Sequence, residues 1–306
     1  MRSYLPEKGR LSSPPVAVWL IVAALSAALF LSSLPAFNRY RVAERTLYDA
    51  SVLRLASFGK RESGLRQSLR VIAIGSSVMG KAVFMDNDME ALAFRHGLEG
   101  FEFMRLTRPA GSVKDFMPLL DDLFAAAPDI ILLEASSVFH DIHRVRNAFA
   151  RKYAEFLKGM LMKSLKAGRF TLPEPEEAHT EEAFERPLLG NRAPSLASLI
   201  IHWKERSPIG ISELAPFFSE AGKRGIRVVL VGIPRHPEFE KHIGPPGPEE
   251  RELRERLEED YGVESIEFPS RTGAASYSDF VHLNGEGRLE FSLWLIEVLK
   301  GARDRI

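Results

Sequence analysis

The run Val71-Ile72-Ala73-Ile74-Gly75-Ser76-Ser77-Val78-Met79-Gly80-Lys81 constrains the fold more than any other stretch. Four apolar residues, three of them large, lead into a Gly-Ser-Ser corner, and a helix-compatible segment follows. Apolar without alternation and bounded by Gly and Ser, the run reads as a strand buried on both faces. A strand that turns through small residues into a helix presents its corner at the carboxyl edge of a parallel sheet. Open α/β sheets keep their sites on that edge. Such a corner can hold a nucleophile or a phosphate, or serve only as a turn.

Strand-like runs recur at 102–106, 130–135, 227–233 and 263–268, so with 69–75 there are five. Helical patterns separate them: a segment that is helical and loop-like by turns over 81–97, then helices at 112–127, 209–224, 249–261 and 284–300, and a long helix at 139–166. Strands alternating with helices, most strands apolar on both faces, predict a three-layer α/β/α sandwich around a parallel sheet. No internal repeat is evident.

A length of 306 residues suits one sizeable α/β domain plus an appendage. Lys plus Arg equals Asp plus Glu, 41 each, so the chain lacks the basic excess of a nucleic-acid binder. The absence of cysteine excludes disulfides, thiolate metal sites and cysteine nucleophiles.

The appendage is N-terminal. Leu11 to Asn38 carries no charged residue, and its apolar centre is long enough to cross a bilayer as a helix, with Trp19 near one end. An uncleaved anchor is the reading preferred over a cleaved signal peptide. The apolar run exceeds the usual length of such a peptide, and Leu34-Pro35-Ala36 is a poor cleavage site. Arg2, Lys8 and Arg10 on one side balance Arg39, Arg41 and Arg45 on the other, so charge leaves the orientation open. The expected organisation is an anchor at 1–38, a juxtamembrane helix and linker at 39–68, and the α/β domain at 69–306, with an insertion near 169–207. The insertion holds an acidic, proline-bearing stretch over 171–187, read as a solvated loop.

Three separated segments converge on the carboxyl edge of such a sheet: Gly75-Ser76-Ser77, the loop holding Gly111, and Asp279-Phe280-Val281-His282-Leu283-Asn284. A serine hydroxyl attacks well only when a base takes its proton. A histidine can do so near neutral pH, and a carboxylate can hold its tautomer and stabilise the imidazolium. Backbone N–H groups can then receive the developing oxyanion.

These blocks, in this order, resemble the SGNH (GDSL-like) hydrolase and acyltransferase superfamily over residues 69–300. The resemblance implies a flavodoxin-like sandwich, Ser77 as nucleophile with Ser76 in the place of the usual aspartate, and Asp279 and His282 as acid and base. It also implies an oxyanion hole from the N–H groups of Ser77 and Gly111. The family's third block, Gly-x-Asn-Asp, corresponds here to Glu134-Ala135-Ser136-Ser137, without the asparagine. Ser137 is the substitute donor expected in its place. Membrane-anchored proteins of this layout O-acetylate exopolysaccharides or handle D-alanine esters of teichoic acids in bacterial envelopes. The resemblance therefore implies a single-pass protein with an extracytoplasmic domain, an acyl-serine intermediate, a glycan or acylated polymer as substrate, and a membrane acyl-donor partner. No cofactor, metal or nucleic acid is expected.

Three rival readings stand beside this one. Gly75-x-x-x-x-Gly80-Lys81 matches most of a phosphate-binding loop, but Ala82 stands where Ser or Thr would bind Mg²⁺. His140 and His143 could share a helix face but lack a clear third ligand. The fold could also persist as a catalytically inactive binding or scaffold module in an envelope assembly.

Overall fold

The computed structural model describes residues 18, 28, 48–61, 68–108, 111–141, 149–168, 195–204, 207–269 and 273–303. The chain divides into two compact units, Met1–Thr46 with Phe149–Pro175, and Leu47–Ala148 with Glu176–Ile306. In the first, the described element is the helix Phe149–Ala167. The second holds the sheet and is described below. Among the described residues no helix is long and apolar enough to cross a membrane, and the expected anchor at 1–38 lies outside them apart from Val18 and Ala28.

Five strands, β1 (Leu69–Gly75), β2 (Phe101–Thr107), β3 (Ile130–Glu134), β4 (Arg227–Gly232) and β5 (Glu264–Glu267), form one parallel sheet in the order β2-β1-β3-β4-β5. This is the flavodoxin-like order that the resemblance implied, and its switch point lies between β1 and β3. The two-residue side-chain period of a strand sends alternate residues to opposite faces. Ile72, Ile74, Ile131, Leu133, Val228 and Leu230 enter one core, and Val71, Ala73, Ile130, Leu132, Val229 and Val231 the other. Two apolar faces on one sheet require a helical layer on each side, which makes the sandwich.

On the second face lie α1 (Ser77–Ala82), α2 (Asp86–Arg95) and the last helix, Gly285–Arg303. On the first lie a 3₁₀ stretch Val113–Leu119 leading into α3 (Leu120–Ala125), with the helices Ile211–Lys223 and Pro248–Tyr261. The tighter stretch replaces the start of the single helix expected over 112–127, and Pro118 lies within it, without the N–H that an α-helical ladder needs.

Two expectations are corrected. The long helix at 139–166 is interrupted. A short helix α4 (Ala135–Phe139) ends where His140–Asp141 pair antiparallel with Ser207–Pro208, and Ile209 N donates to the Phe139 carbonyl at 3.2 Å. The chain thus exchanges helical bonds for a pairing with a distant segment. The boundary expected at residue 69 lies earlier: the later part of the juxtamembrane helix expected within 39–68 belongs to the α/β unit. Helical turns at 48–59 bury Leu55 and Phe58 in the first core, and Tyr48 Oη donates to the Pro118 carbonyl at 2.6 Å.

Phe58 is 2% exposed, and its ring lies under the Arg70 guanidinium at 4.8 Å. Phe58→Ala is expected to destabilise the protein by about 3–5 kcal/mol, as for other buried phenylalanines. Urea unfolding checks this, and a loss below about 1 kcal/mol would place the 48–59 segment outside the cooperative core.

Candidate active site

The register of β1 and β3 builds the site. Ile74 is paired with Leu133, so Gly75 and Glu134 end their strands side by side at the switch point. A side chain at Gly75 would put Cβ 2.7 Å from both Glu134 Cβ and Oε2 and from Met79 Cβ, so only glycine fits. Ser76 then caps α1, its Oγ accepting from Val78 N at 3.1 Å.

Glu134 was not singled out from the sequence, yet it organises this corner. Its side chain is buried and accepts Ser76 N at 2.7 Å, Met79 N at 3.1 Å and Ser76 Oγ at 2.8 Å, with Ser136 Oγ as a further donor. The available signal was a charged residue ending the wholly apolar run Ile130–Leu133. The opposite end of α1 is held by cations. Arg105 donates to the carbonyls of Gly80 and Val83 at 2.7 and 2.9 Å, and Arg288 to that of Lys81 at 3.0 Å. A carboxylate at the N-terminus and guanidinium groups at the C-terminus both match the helix dipole. The phosphate-loop reading fails here, because two of the N–H groups that would cradle a phosphate already bind a carboxylate of the chain itself.

The third segment explains its own sequence. Tyr277 and Leu283 form an antiparallel bridge, and Ser278 N donates to the His282 carbonyl at 2.9 Å, closing a tight loop. Within it Asp279 Oδ1 accepts the N–H groups of Val281 and His282 at 2.8 and 2.9 Å, an Asx-type turn. Leu283 is buried, and Asn284 Oδ1 accepts from Glu286 N and Gly287 N to cap the last helix. His236, which follows the carboxyl end of β4, braces this loop. Its N–H donates to the Phe280 carbonyl at 3.2 Å and its ring meets Tyr277 and Phe280 edge-on.

The structure brings Ser77, His282 and Asp279 together across 205 residues. Ser77 Oγ lies 2.9 Å from His282 Nε2, while His282 Nδ1 lies 2.8 and 3.0 Å from the Asp279 oxygens. Both ring nitrogens are thereby committed, and the Nδ1 contact to a carboxylate assigns its proton there, leaving Nε2 to accept from Ser77. Burial pushes the Asp279 carboxyl up, but the hydrogen bond and charge of His282, with the two backbone N–H groups, outweigh it and hold the carboxyl below its usual range.

The other two expected oxyanion donors both donate to backbone carbonyls of the chain. Gly111 N donates to the Arg108 carbonyl at 3.0 Å, which closes a turn. Ser137 Oγ donates its one hydrogen to the Glu134 carbonyl at 2.7 Å. Ser77 N has no partner among the described residues, whereas the N–H groups of Ser76, Val78 and Met79 are all taken. Of the suggested metal pair, His143 lies outside the described residues, and His140 packs its ring against Trp203 at 5.2 Å. Arg235 is buried, its guanidinium 4.1 Å from the Trp203 ring centre. A cavity of about 320 Å³ lies by Phe139, Ile211, Leu253 and Arg256, and none of the three triad residues lines it.

No protein-family model matches the chain, and no curated protein matches it. Solved structures similar in fold are GDSL-like lipases and acylhydrolases. A GDSL-like lipase from Bacteroides thetaiotaomicron is 11% identical, with 83% of this chain and 98% of that one covered, at a TM-score of 0.38. A lipase/acylhydrolase from Enterococcus faecalis is 13% identical, with 76% and 97% covered, at 0.39. The acetyl xylan esterase AlAXEase is 14% identical, with 74% and 98% covered, at 0.38. These likenesses are weak by identity and by score.

Two outcomes are expected from this geometry. Ser137→Ala should cost about 1 kcal/mol of stability, the worth of one hydrogen bond. It should leave ester turnover well short of the roughly 10²–10³ loss that removal of an oxyanion donor brings, as steady-state kinetics would show. Asp279 in the folded chain binds its proton less readily than in the unfolded chain. Its stabilisation is therefore complete above the ordinary aspartate value of about 3.9 and is lost as pH falls through the lowered one. Asp279→Asn should accordingly unfold at lower urea than wild type at neutral pH, with the gap closing as pH falls below about 4.

Proposed function

We propose that this chain is a serine-dependent acyl-ester enzyme, a hydrolase or an acyltransferase. The observation that carries the reading is the unbroken Ser77 Oγ–His282 Nε2–Asp279 hydrogen-bond chain at 2.9 and 2.8 Å. Ser77 Oγ attacks the ester carbonyl while His282 takes its proton, and Asp279 orients the ring and stabilises the imidazolium. The Ser77 N–H receives the oxyanion. His282 then protonates the leaving alcohol, an acyl-Ser77 ester remains, and water or a sugar hydroxyl, deprotonated by His282, takes the acyl group away.

The finer reading is an enzyme anchored by one membrane span, its α/β domain outside the cytoplasm, acting on a glycan or acylated polymer of the envelope with a membrane acyl donor. It is supported by the uncharged segment 11–38 and by the resemblance of the Gly-Ser-Ser and Asp-x-x-His-Leu-Asn blocks. One observation favours the second reading, an inactive scaffold: Gly111 N and Ser137 Oγ are both engaged elsewhere, so one donor is in place instead of three.

A fluorophosphonate probe tests the main reading. Wild type is expected to be labelled on Ser77, and both Ser77→Ala and His282→Ala are expected to lose labelling and several orders of magnitude of ester turnover. Labelling that survives Ser77→Ala would refute the nucleophile assignment, and a wild type that is never labelled would favour the scaffold. Product analysis with a polysaccharide acceptor separates transfer from hydrolysis.

A further inference from the structure

Four N–H groups at the start of a helix lack partners inside it. In α1 these are the groups of Ser76, Ser77, Val78 and Met79, the first carried by the cap itself. Glu134 Oε2 takes Ser76 N at 2.7 Å and Met79 N at 3.1 Å, and Ser76 Oγ takes Val78 N at 3.1 Å. The group left over belongs to the residue whose hydroxyl faces His282. Ser76 Oγ can hold Val78 N because its own hydrogen goes to Glu134, within 2.8 and 2.9 Å of both carboxylate oxygens. One buried side chain therefore sets both the direction of the corner and the allocation of its donors.

Such a carboxylate is costly to bury and needs several donors to remain there. Besides the two N–H groups and Ser76, Ser136 Oγ donates to Oε1, and the buried guanidinium of Arg235 adds electrostatic attraction. The arrangement uses two neighbouring positions, serine at 76 and glutamate at 134. A cap residue with its own carboxylate could accept the Met79 N–H directly, because Asp is among the preferred N-caps.

We infer that Glu134 is a positioning residue for Ser77: reaching across from β3, it occupies the competing N–H groups of α1 and fixes the corner so that the Ser77 hydroxyl meets His282 and the Ser77 N–H faces the oxyanion. The inference rests on the reading of Ser77 as nucleophile. Glu134 touches neither Ser77 Oγ nor His282, so its removal acts on kcat and not on KM.

The test compares wild type, Glu134→Gln and the double variant Ser76→Asp/Glu134→Gln. The readouts are kcat and KM on an activated acetyl ester, the rate of fluorophosphonate labelling, and thermal melting to confirm folding. Glu134→Gln, which keeps the side-chain shape, is expected to lower kcat and the labelling rate by about 10²-fold with KM unchanged, the scale of a small misplacement of a reacting group. The double variant is expected to regain at least about tenfold, since the introduced aspartate restores an acceptor for the corner. Wild-type kcat in Glu134→Gln would overturn the inference, as would a loss that the added aspartate does not recover. A wild type that fails to label on Ser77 would instead overturn the nucleophile reading, and the inference with it.

Discussion

The contact between Glu134 and the first turn of α1 is the constraint on which the rest of the site depends. It ties the ends of two adjacent strands, β1 and β3, at the point where the sheet order reverses. Gly75 is needed because the Glu134 side chain fills the space a Cβ would take. Burial of a carboxylate is tolerated here because donors surround it and a cation is close. The helix it caps is only six residues long. A helix that short has little stability of its own. Its direction comes from Glu134 at one end and from Arg105 and Arg288 at the other.

His282 is delivered by a different principle. The loop from Tyr277 to Asn284 is a self-contained unit: a bridge at its neck, an aspartate that binds two backbone N–H groups within it, a buried leucine and a helix cap. Asp279 spends one oxygen on shaping the turn and both on the ring it shapes the turn for. Local hydrogen bonds thus preset the histidine, and the parallel sheet brings the preset ring to the serine. The loop after β4 adds support through His236. Ser77 and His282 rest on separate rigid supports, which is how a 2.9 Å contact is held between residues so distant in the chain.

The oxyanion side is less complete than the triad. The Gly111 N–H closes its own turn and the Ser137 hydroxyl closes a helical one, so each serves the backbone. Among the described residues the Ser77 N–H is the group left without a partner at the corner.

Much of this was legible in the residues, and the reason is local. Uninterrupted apolar runs specify the doubly buried strands β1, β3 and β4 whatever lies around them, and all five strands fall within one residue of their expected ends. Asp279 and His282 sit three apart in one turn, and their pairing needs no distant partner. What failed was non-local. The helix expected through His140 gave way to a pairing with Ser207–Pro208, and the turns at 48–59 joined a core built from strands far along the chain. The sequence by itself determined the strands, the glycine-serine corner and the Asp-His turn, because each follows from residues within a few positions of one another. Only the tertiary structure decided that Glu134 seats the corner and that Ser137 and Gly111 turn their hydrogens elsewhere. Those choices depend on which donors and acceptors meet across strands, and the order of residues along the chain does not record that.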